Sequence, residues 1–470
     1  MANRHRRKSG RSRSPWQVLV CVAALAAATA WSLLYHFMWS KQPFGVSMVF
    51  YFTITGMLIF SLGAAVRGRS FAHLPADESR VLAIVPAYNE PPEALYATVR
   101  ALIDQVRPPQ AIHVVDDGSR VPVVPFHHPL VTWHRQDNAG KREAQAHVLR
   151  LVPPDSYDMI LTVDSDSVLH KTALWHCMKA MSDPQVQACT GLTLVRNRLD
   201  NWLTRIIDVE IVTWCLVTRM ARSALGAVAP TSGILAVYRK DVVLDNLDDY
   251  VTSGTAGDDR RLTHYALQRG QVVAVNEALV YSAMPAELGE LWTQRVRWFK
   301  SYWRYVGWEL TYFDGAPLFF RLYGMVLTGV APVLYAWVFF ALPYHQGEYF
   351  VFLQGFGYWV IMTYAQTGMY AALRPELKAR EKFLAWLLLT PFVSLLNLLL
   401  IKPAMYWALT QARTTHWGTR KSPAVDAEGA TSGSDPTVAF PVFNDPMPLP
   451  VAKLLDPDSE TTLQISLVRR

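Results

Sequence analysis

The sequence predicts an α/β domain with a mainly parallel sheet, facing the cytosol and inserted between transmembrane helices. Three observations predict it. Apolar runs of spanning length lie towards both ends of the 470-residue chain, β-rich segments alternate with helical ones between them, and acidic clusters close several of the β-rich segments. With 51% hydrophobic and 12% aromatic residues, the chain is too apolar to be wholly soluble. Its formal charge of +7 gathers at the N-terminus and beside the apolar runs, a pattern of membrane orientation rather than of nucleic-acid binding. Cys21, Cys177, Cys189 and Cys215 have neither metal-ligand spacing nor a paired framework, so they read as reduced thiols.

In chain order, residues 1–15 are a basic cytosolic N-terminus and 16–69 hold two transmembrane helices, over 16–39 and 44–66, returning the chain to the cytosol at Arg67 and Arg69. Residues 70–298 are the cytosolic domain, and 299–316 an interfacial helix. Within 317–410, two further spans cover 317–342 and 349–373. The stretch 383–410 contains Pro391, Lys402 and Pro403, and a single crossing there would put the basic "RTTHWGTRK" outside. A broken membrane segment is therefore expected in addition to four full crossings. Residues 411–421 form a motif-bearing loop; 422–470, rich in Pro, Asp, Ser and Thr, form a disordered tail.

Inside the domain, "RVLAIVPAYNE", "AIHVVDDGS", "MILTVDSDS" and "VQACTGLTL" read as strands, separated by helical "PEALYATVRALIDQ" and "GKREAQAHVLRL". Open α/β sheets bind ligands at the C-terminal ends of their strands, where these polar clusters fall. Asp116 and Asp117 before Gly118 read equally as an Asp-Gly turn or as a ligand site. Asp164 and Asp166 suit a divalent ion that also bridges phosphates, such as Mg2+ or Mn2+, or else a solvated turn. Asp258 and Asp259 after Gly257 open a helix, either as capping residues or as a base near an acceptor hydroxyl. "TQRVRWFKSYW", residues 293–303, combines cations and aromatics just before a long apolar region, as an amphipathic interfacial helix with snorkelling cations does. "LDNWLTRIIDVEIVTWCLVTRMARSAL" looks like an amphipathic helix near the bilayer.

Taken together, "VPAYNE", "VDDGS", "DSD", "GDDR" and "QRVRW" resemble, in order and approximate spacing, the motifs of the processive family 2 glycosyltransferases, which include cellulose, chitin and hyaluronan synthases. The resemblance runs from about residue 81 to 420. Within that group the chain is most similar to the class I membrane hyaluronan synthases: "NAGKREAQA", "LTVDSDS", "GDDRRLTHYAL", "WFKSYWR" and "THWGTRKS" match their stretches, the last carrying the gating-loop WGTR.

The resemblance implies a GT-A-like, nucleotide-sugar-binding fold and an inverting, processive transferase. Such an enzyme polymerises UDP-N-acetylglucosamine and UDP-glucuronate with Mg2+ or Mn2+ and exports the β-linked chain through its own channel. By analogy, Asp117 binds the uridine, Asp164 supports the donor end, Asp166 ligates the metal, and Lys141 and Arg142 help hold the donor. Asp259, next to Asp258, is the general base; Gln294 and Arg297 hold the diphosphate, Trp298 carries the acceptor sugar, and Trp417 with Arg420 closes over the nucleotide. The implied setting is the plasma membrane, multi-pass, with membrane lipids and the growing polysaccharide as partners, no nucleic acid and no obligatory protein partner.

Three positions depart from the pattern: Thr231 stands at a cysteine, Ile234 at a proline and Tyr305 at a glutamate. They fall near the acceptor by analogy and bear on product identity. A chitin-oligosaccharide synthase, a non-processive transferase with a lipid acceptor, and an inactive membrane scaffold are the competing readings.

Overall fold

The computed structural model describes residues 44–253, 257–330 and 350–412, with positions 341 and 344. The expected N-terminal segment, the span at 16–39, much of 331–349, the WGTR loop and the tail lie outside them.

Eight strands form one sheet in the order β3-β2-β1-β4-β7-β6-β8-β5. They are β1 (Val81–Ala87), β2 (Ala111–Asp117), β3 (Val131–Gln136), β4 (Met159–Thr162), β5 (Val168–Leu169), β6 (Val186–Val195), β7 (Ala236–Arg239) and β8 (Gln271–Ser282). β1 pairs parallel with β2 and β4, β2 with β3, and β6 with β8; β7 is antiparallel to both its neighbours, and β5 to β8. The sheet is thus mixed and mostly parallel, as the alternating pattern predicts.

The helices that bear on the site are α1 (Phe44–Val66), α2 (Pro92–Ile103), α3 (Lys141–Leu151), α4 (Ala173–Met181), α5 (Trp202–Trp214) and α6 (Asp258–Arg269). After these come α7 (Leu288–Arg304), α8 (Val306–Tyr312), α9 (Gly315–Met325), α10 (Phe350–Leu373), α11 (Ala379–Leu396) and α12 (Lys402–Thr410). Alternation along β1 divides the core between two faces. Val81, Ala83 and Val85 pack with Leu95 and Val99 of α2 and Leu174 of α4. Leu82 and Ile84 join Val148 of α3, Ile206 of α5, Leu58 of α1, Met362 of α10 and Leu396 of α11. The α/β domain therefore shares a hydrophobic core with the apolar helices instead of hanging from them by linkers.

α5, part of the stretch read from sequence as an amphipathic helix near the bilayer, buries its apolar face in this shared core. Asp208 is fully buried, pairs with Arg374 at 3.1 Å and accepts a 2.8 Å hydrogen bond from the Tyr370 hydroxyl. Neither charge tolerates being left alone in the interior, so the pair fastens α5 to the end of α10.

One boundary and one segment also differ from expectation. The division at 298/299 falls inside α7, which runs unbroken from Leu288 to Arg304. Its aromatics dock on neighbouring helices: Phe299 packs beside Ala404 and Ala408, the Trp303 indole donates to the Met405 carbonyl at 2.7 Å, and the Tyr302 and Thr328 hydroxyls lie 3.1 Å apart.

The expected broken segment is a continuous helical run, Ala379–Thr410, whose 32 residues have a mean hydropathy of 2.2 over the most apolar window. Among the described residues it is the one helix long and apolar enough by itself to cross a membrane. Pro391 deprives the Leu387 carbonyl of its helical donor, and the Tyr364 hydroxyl of α10 replaces it at 2.7 Å. A π turn at Asn397–Ile401 precedes Pro403, the usual accommodation of an interrupted hydrogen-bond ladder.

Candidate active site

The C-terminal ends of β1, β2 and β4, the start of α6 and one side of α7 surround a cavity of about 1630 Å³. It continues between the apolar helices, past Met57 and Ser61 of α1, Tyr323 of α9, Met362 and Gln366 of α10, and Lys402 and Met405 of α12.

At the end of β2 the two aspartates of "VVDDGS" take different places. Asp116 is the turn residue, accepting from the Ser119 and Val123 amides and pairing with Arg135. Asp117 faces the cavity and accepts from Gln136 Nε2 at 2.7 Å and from the amides of Ala139 and Gly140 at 3.0 and 2.8 Å. It thereby shapes the loop leading into α3. Gly118 has φ +73°, and a Cβ there would lie 2.6 Å from the Asn138 amide nitrogen, so only glycine lets the two loops touch.

Lys141, the first residue of α3, bridges the other two acidic clusters, with Nζ 2.7 Å from Asp164 and 2.6 Å from Asp258. Burial favours the neutral amine, yet those two carboxylates hold the ammonium well above its ordinary range. Burial likewise opposes ionisation of Asp258, but Lys141 outweighs it and keeps that carboxyl low. Asp259 lacks such a partner: burial first, then the Asp258 charge, push it up to about 6. Two adjacent carboxyls are thus driven apart, one fixed as an anion and one poised to accept a proton near neutral pH. Asp259 is held by the Arg260 amide, which donates to Oδ1 at 2.7 Å. The N-cap itself is Gly257, at φ +93°, where a Cβ would meet Ser301 of α7 at 2.5 Å. That close approach fixes the start of α6 against the helix carrying "QRVRW".

Gln294, Arg297 and Trp298 all line the cavity from α7. Trp298 is 41% exposed, with Arg295 stacked 4.6 Å from its ring centre. Arg295 in turn pairs with Glu210 of α5 at 2.7 Å, which orients this helix. The side-chain carbonyl oxygen of Gln294 is buried without a hydrogen-bond partner among the described residues, leaving an acceptor on the cavity wall.

Asp164 and Asp166 both line the cavity, and the Ser167 hydroxyl donates to Asp166 at 3.3 Å. Among the described residues no group of three or more His, Cys, Asp or Glu could hold a metal by itself. The two hard carboxylates fit an Mg2+ or Mn2+ ion that takes its remaining ligands from a diphosphate and water. The Lys141 ammonium against Asp164 shows that this corner already favours a cation.

Arg142 requires a correction. It does not reach the cavity; it donates to the Tyr250 carbonyl at 2.8 Å and to the Ser253 hydroxyl, and its guanidinium stacks 5.0 Å from the Tyr250 ring. It braces the segment before Gly257. Trp417 and Arg420 lie outside the described residues.

Two groups escape a motif-based reading. The buried Thr231 hydroxyl stands 2.7 Å from the Tyr238 hydroxyl and 2.8 Å from that of Thr263, which donates to the Asp259 carbonyl at 2.6 Å. The departure at Thr231 was the available signal. Glu309 of α8 lies within 3.0 Å of Arg260, His264 and Arg321. Burial disfavours its charge, but those partners hold it down at about 2; no sequence motif marks it.

A mixed, mostly parallel sheet with paired carboxylates at its strand ends, a cation between them and an indole facing the same cavity gathers charged and aromatic groups where open α/β sheets bind ligands. Comparison with known proteins gives the family. Residues 79–301 match the family model described as "Glycosyltransferase like family 2". A hyaluronan synthase of Streptococcus pyogenes is 29% identical over 398 residues, covering 80% of this chain and 90% of that one. An N-acetylglucosaminyltransferase of Sinorhizobium fredii is 31% identical over 371 residues, covering 75% and 87%; another, from a Rhizobium species, is 35% identical over 237 residues, covering 47% and 52%. The chain belongs to glycosyltransferase family 2.

Proposed function

We propose that this protein is a membrane hyaluronan synthase, polymerising UDP-N-acetylglucosamine and UDP-glucuronate into a β-linked polysaccharide and passing it out between its own helices. The observation that carries this reading is the single cavity that joins Asp117, Asp164 and Asp259 to Trp298 and then continues between α1, α9, α10 and α12. A growing chain needs that continuity; a single transfer to a soluble acceptor does not.

Asp117 and the loop it shapes hold the uridine, while Gln294 and Arg297 receive the diphosphate. Asp166, supported by Asp164, would hold a divalent ion, which when bound would supply positive charge opposite the departing UDP. Trp298 supports the apolar face of the acceptor sugar. Asp259 accepts the acceptor hydroxyl proton as that oxygen attacks the anomeric carbon opposite the leaving group, so an α-linked donor gives a β linkage. Arg142 acts behind the wall, steadying the segment that leads to the base. Trp417 and Arg420 would close over the nucleotide.

Similarity to two N-acetylglucosaminyltransferases favours one rival, a chitin-oligosaccharide synthase that uses UDP-N-acetylglucosamine alone. Purified protein in lipid, given both UDP-sugars and Mg2+ or Mn2+, is expected to make polymer that a hyaluronan-specific lyase degrades. Omitting UDP-glucuronate should stop polymer growth. Growth undiminished by that omission, with a lyase-resistant product, would replace the first reading with the second.

A further inference from the structure

Beyond the catalytic carboxylates, the cavity wall carries a cluster of cations with too few counter-charges. Arg222, Arg260 and Arg321 all line it, and the one carboxylate paired with any of them among the described residues is Glu309, which binds Arg260 and Arg321. Arg222 forms no ion pair among those residues. It donates to the Ala229 carbonyl, leaves Nε without a partner, and stacks 5.9 Å from the Phe320 ring. Burial, with the nearby Arg260 charge, lowers it to about 10, so it stays cationic at neutral pH. His264 adds no charge there, since burial lowers it to about 4. A guanidinium enclosed without an anion is costly, and a ligand that brings one relieves the cost.

Location narrows the ligand. The Arg321 guanidinium lies 4.3 Å from the Tyr302 ring centre, and Tyr302 follows Trp298 on α7 by four residues. That spacing is about 6 Å along a helix, close to the length of one sugar ring. The cluster therefore sits about one sugar ring along α7 from a sugar resting on Trp298. We infer that Arg222, with Arg321 beside it, forms a subsite for a sugar carboxylate, so that the cavity selects a glycan bearing uronate residues over a neutral one. This rests on the polymerase reading above and sharpens it.

The test uses the full chain in nanodiscs of zwitterionic lipid and two tetrasaccharides, one alternating N-acetylglucosamine and glucuronate, the other chitotetraose. A charge-assisted hydrogen bond corresponds to about tenfold in affinity or more. The anionic tetrasaccharide should bind about tenfold more tightly at low salt, with the preference shrinking as salt rises. Arg222→Met should reduce the preference to about twofold or less, and Arg222→Lys should retain part of it. Thermal melting reports whether each variant folds; should Arg222→Met not fold, the wild-type preference and its salt dependence decide. Equal affinities, or tighter binding of chitotetraose in the wild type, would overturn the inference. Release of UDP from the UDP-sugars is measured separately, and its absence would count against the transferase reading instead.

Discussion

Asp259→Asn is expected to abolish polymer formation, with turnover falling roughly 10²–10⁴-fold, and at the same time to raise the melting temperature at neutral pH. The two effects share one cause. Burial, and then the Asp258 charge, hold the Asp259 carboxyl at about 6 against an ordinary 3.8. Because the folded value lies above the unfolded one, below about pH 4 both states are protonated and the group has no effect on stability. As pH rises, the unfolded chain loses its proton first, and stability is lost progressively until the folded pKa is passed. Above about 6 the whole penalty is present, on the order of 3 kcal/mol. Asparagine carries none of it. Melting curves at pH 4 and 7.5 should show the variant gaining on the wild type only at the higher pH, and wild-type turnover should rise along an acid limb centred near 6. A variant that melts lower than wild type at pH 7.5 would mark Asp259 as structural.

Lys141→Met should act in the opposite sense on stability and in the same sense on rate. Its ammonium is shared by Asp164 at 2.7 Å and Asp258 at 2.6 Å. Removing it leaves adjacent carboxylates facing one another across the cavity floor. Breaking a buried pair typically costs 3–5 kcal/mol, and the lower end applies because Asp164 keeps about a third of its side-chain exposure. Lys141 also lowers Asp259, so its loss should move the acid limb of the rate profile upward, beyond 6. Denaturant titration measures the first effect and a pH–rate profile the second. Added Mg2+ or Mn2+ should restore more stability to the variant than it adds to wild type, since the ion replaces the missing positive charge. A variant as stable as wild type with an unmoved acid limb would remove Lys141 from the account.

The sheet was legible because its strands are buried on both faces, which makes "VLAIVPA" and "MILT" near-continuous apolar runs. Two of the three acidic clusters were legible because each follows an apolar run directly and so falls at a strand end, whereas Asp258 and Asp259 were legible as the start of a helix after Gly257. What the sequence hid depends on side-chain direction and on distant neighbours. Lys141 and Arg142 look equivalent in "GKR", yet consecutive helical residues point about 100° apart, so only one faces the cavity. Pro391 reads as a break until Tyr364, on another helix, is seen to supply the missing donor. Glu309 carries no local signal; its partners come from α6 and α9, brought together by the fold. The aromatics of "TQRVRWFKSYW" dock on protein helices that the charge and hydropathy pattern could not place.

The account depends on the strand-end cleft being a site for a sugar nucleotide and a divalent ion together. Calorimetric titration of the full chain in lipid with UDP, with and without Mn2+, tests that most directly. The expected result is saturable uptake of one nucleotide per chain that disappears when the ion is chelated. Absence of uptake with Mn2+ present would contradict it.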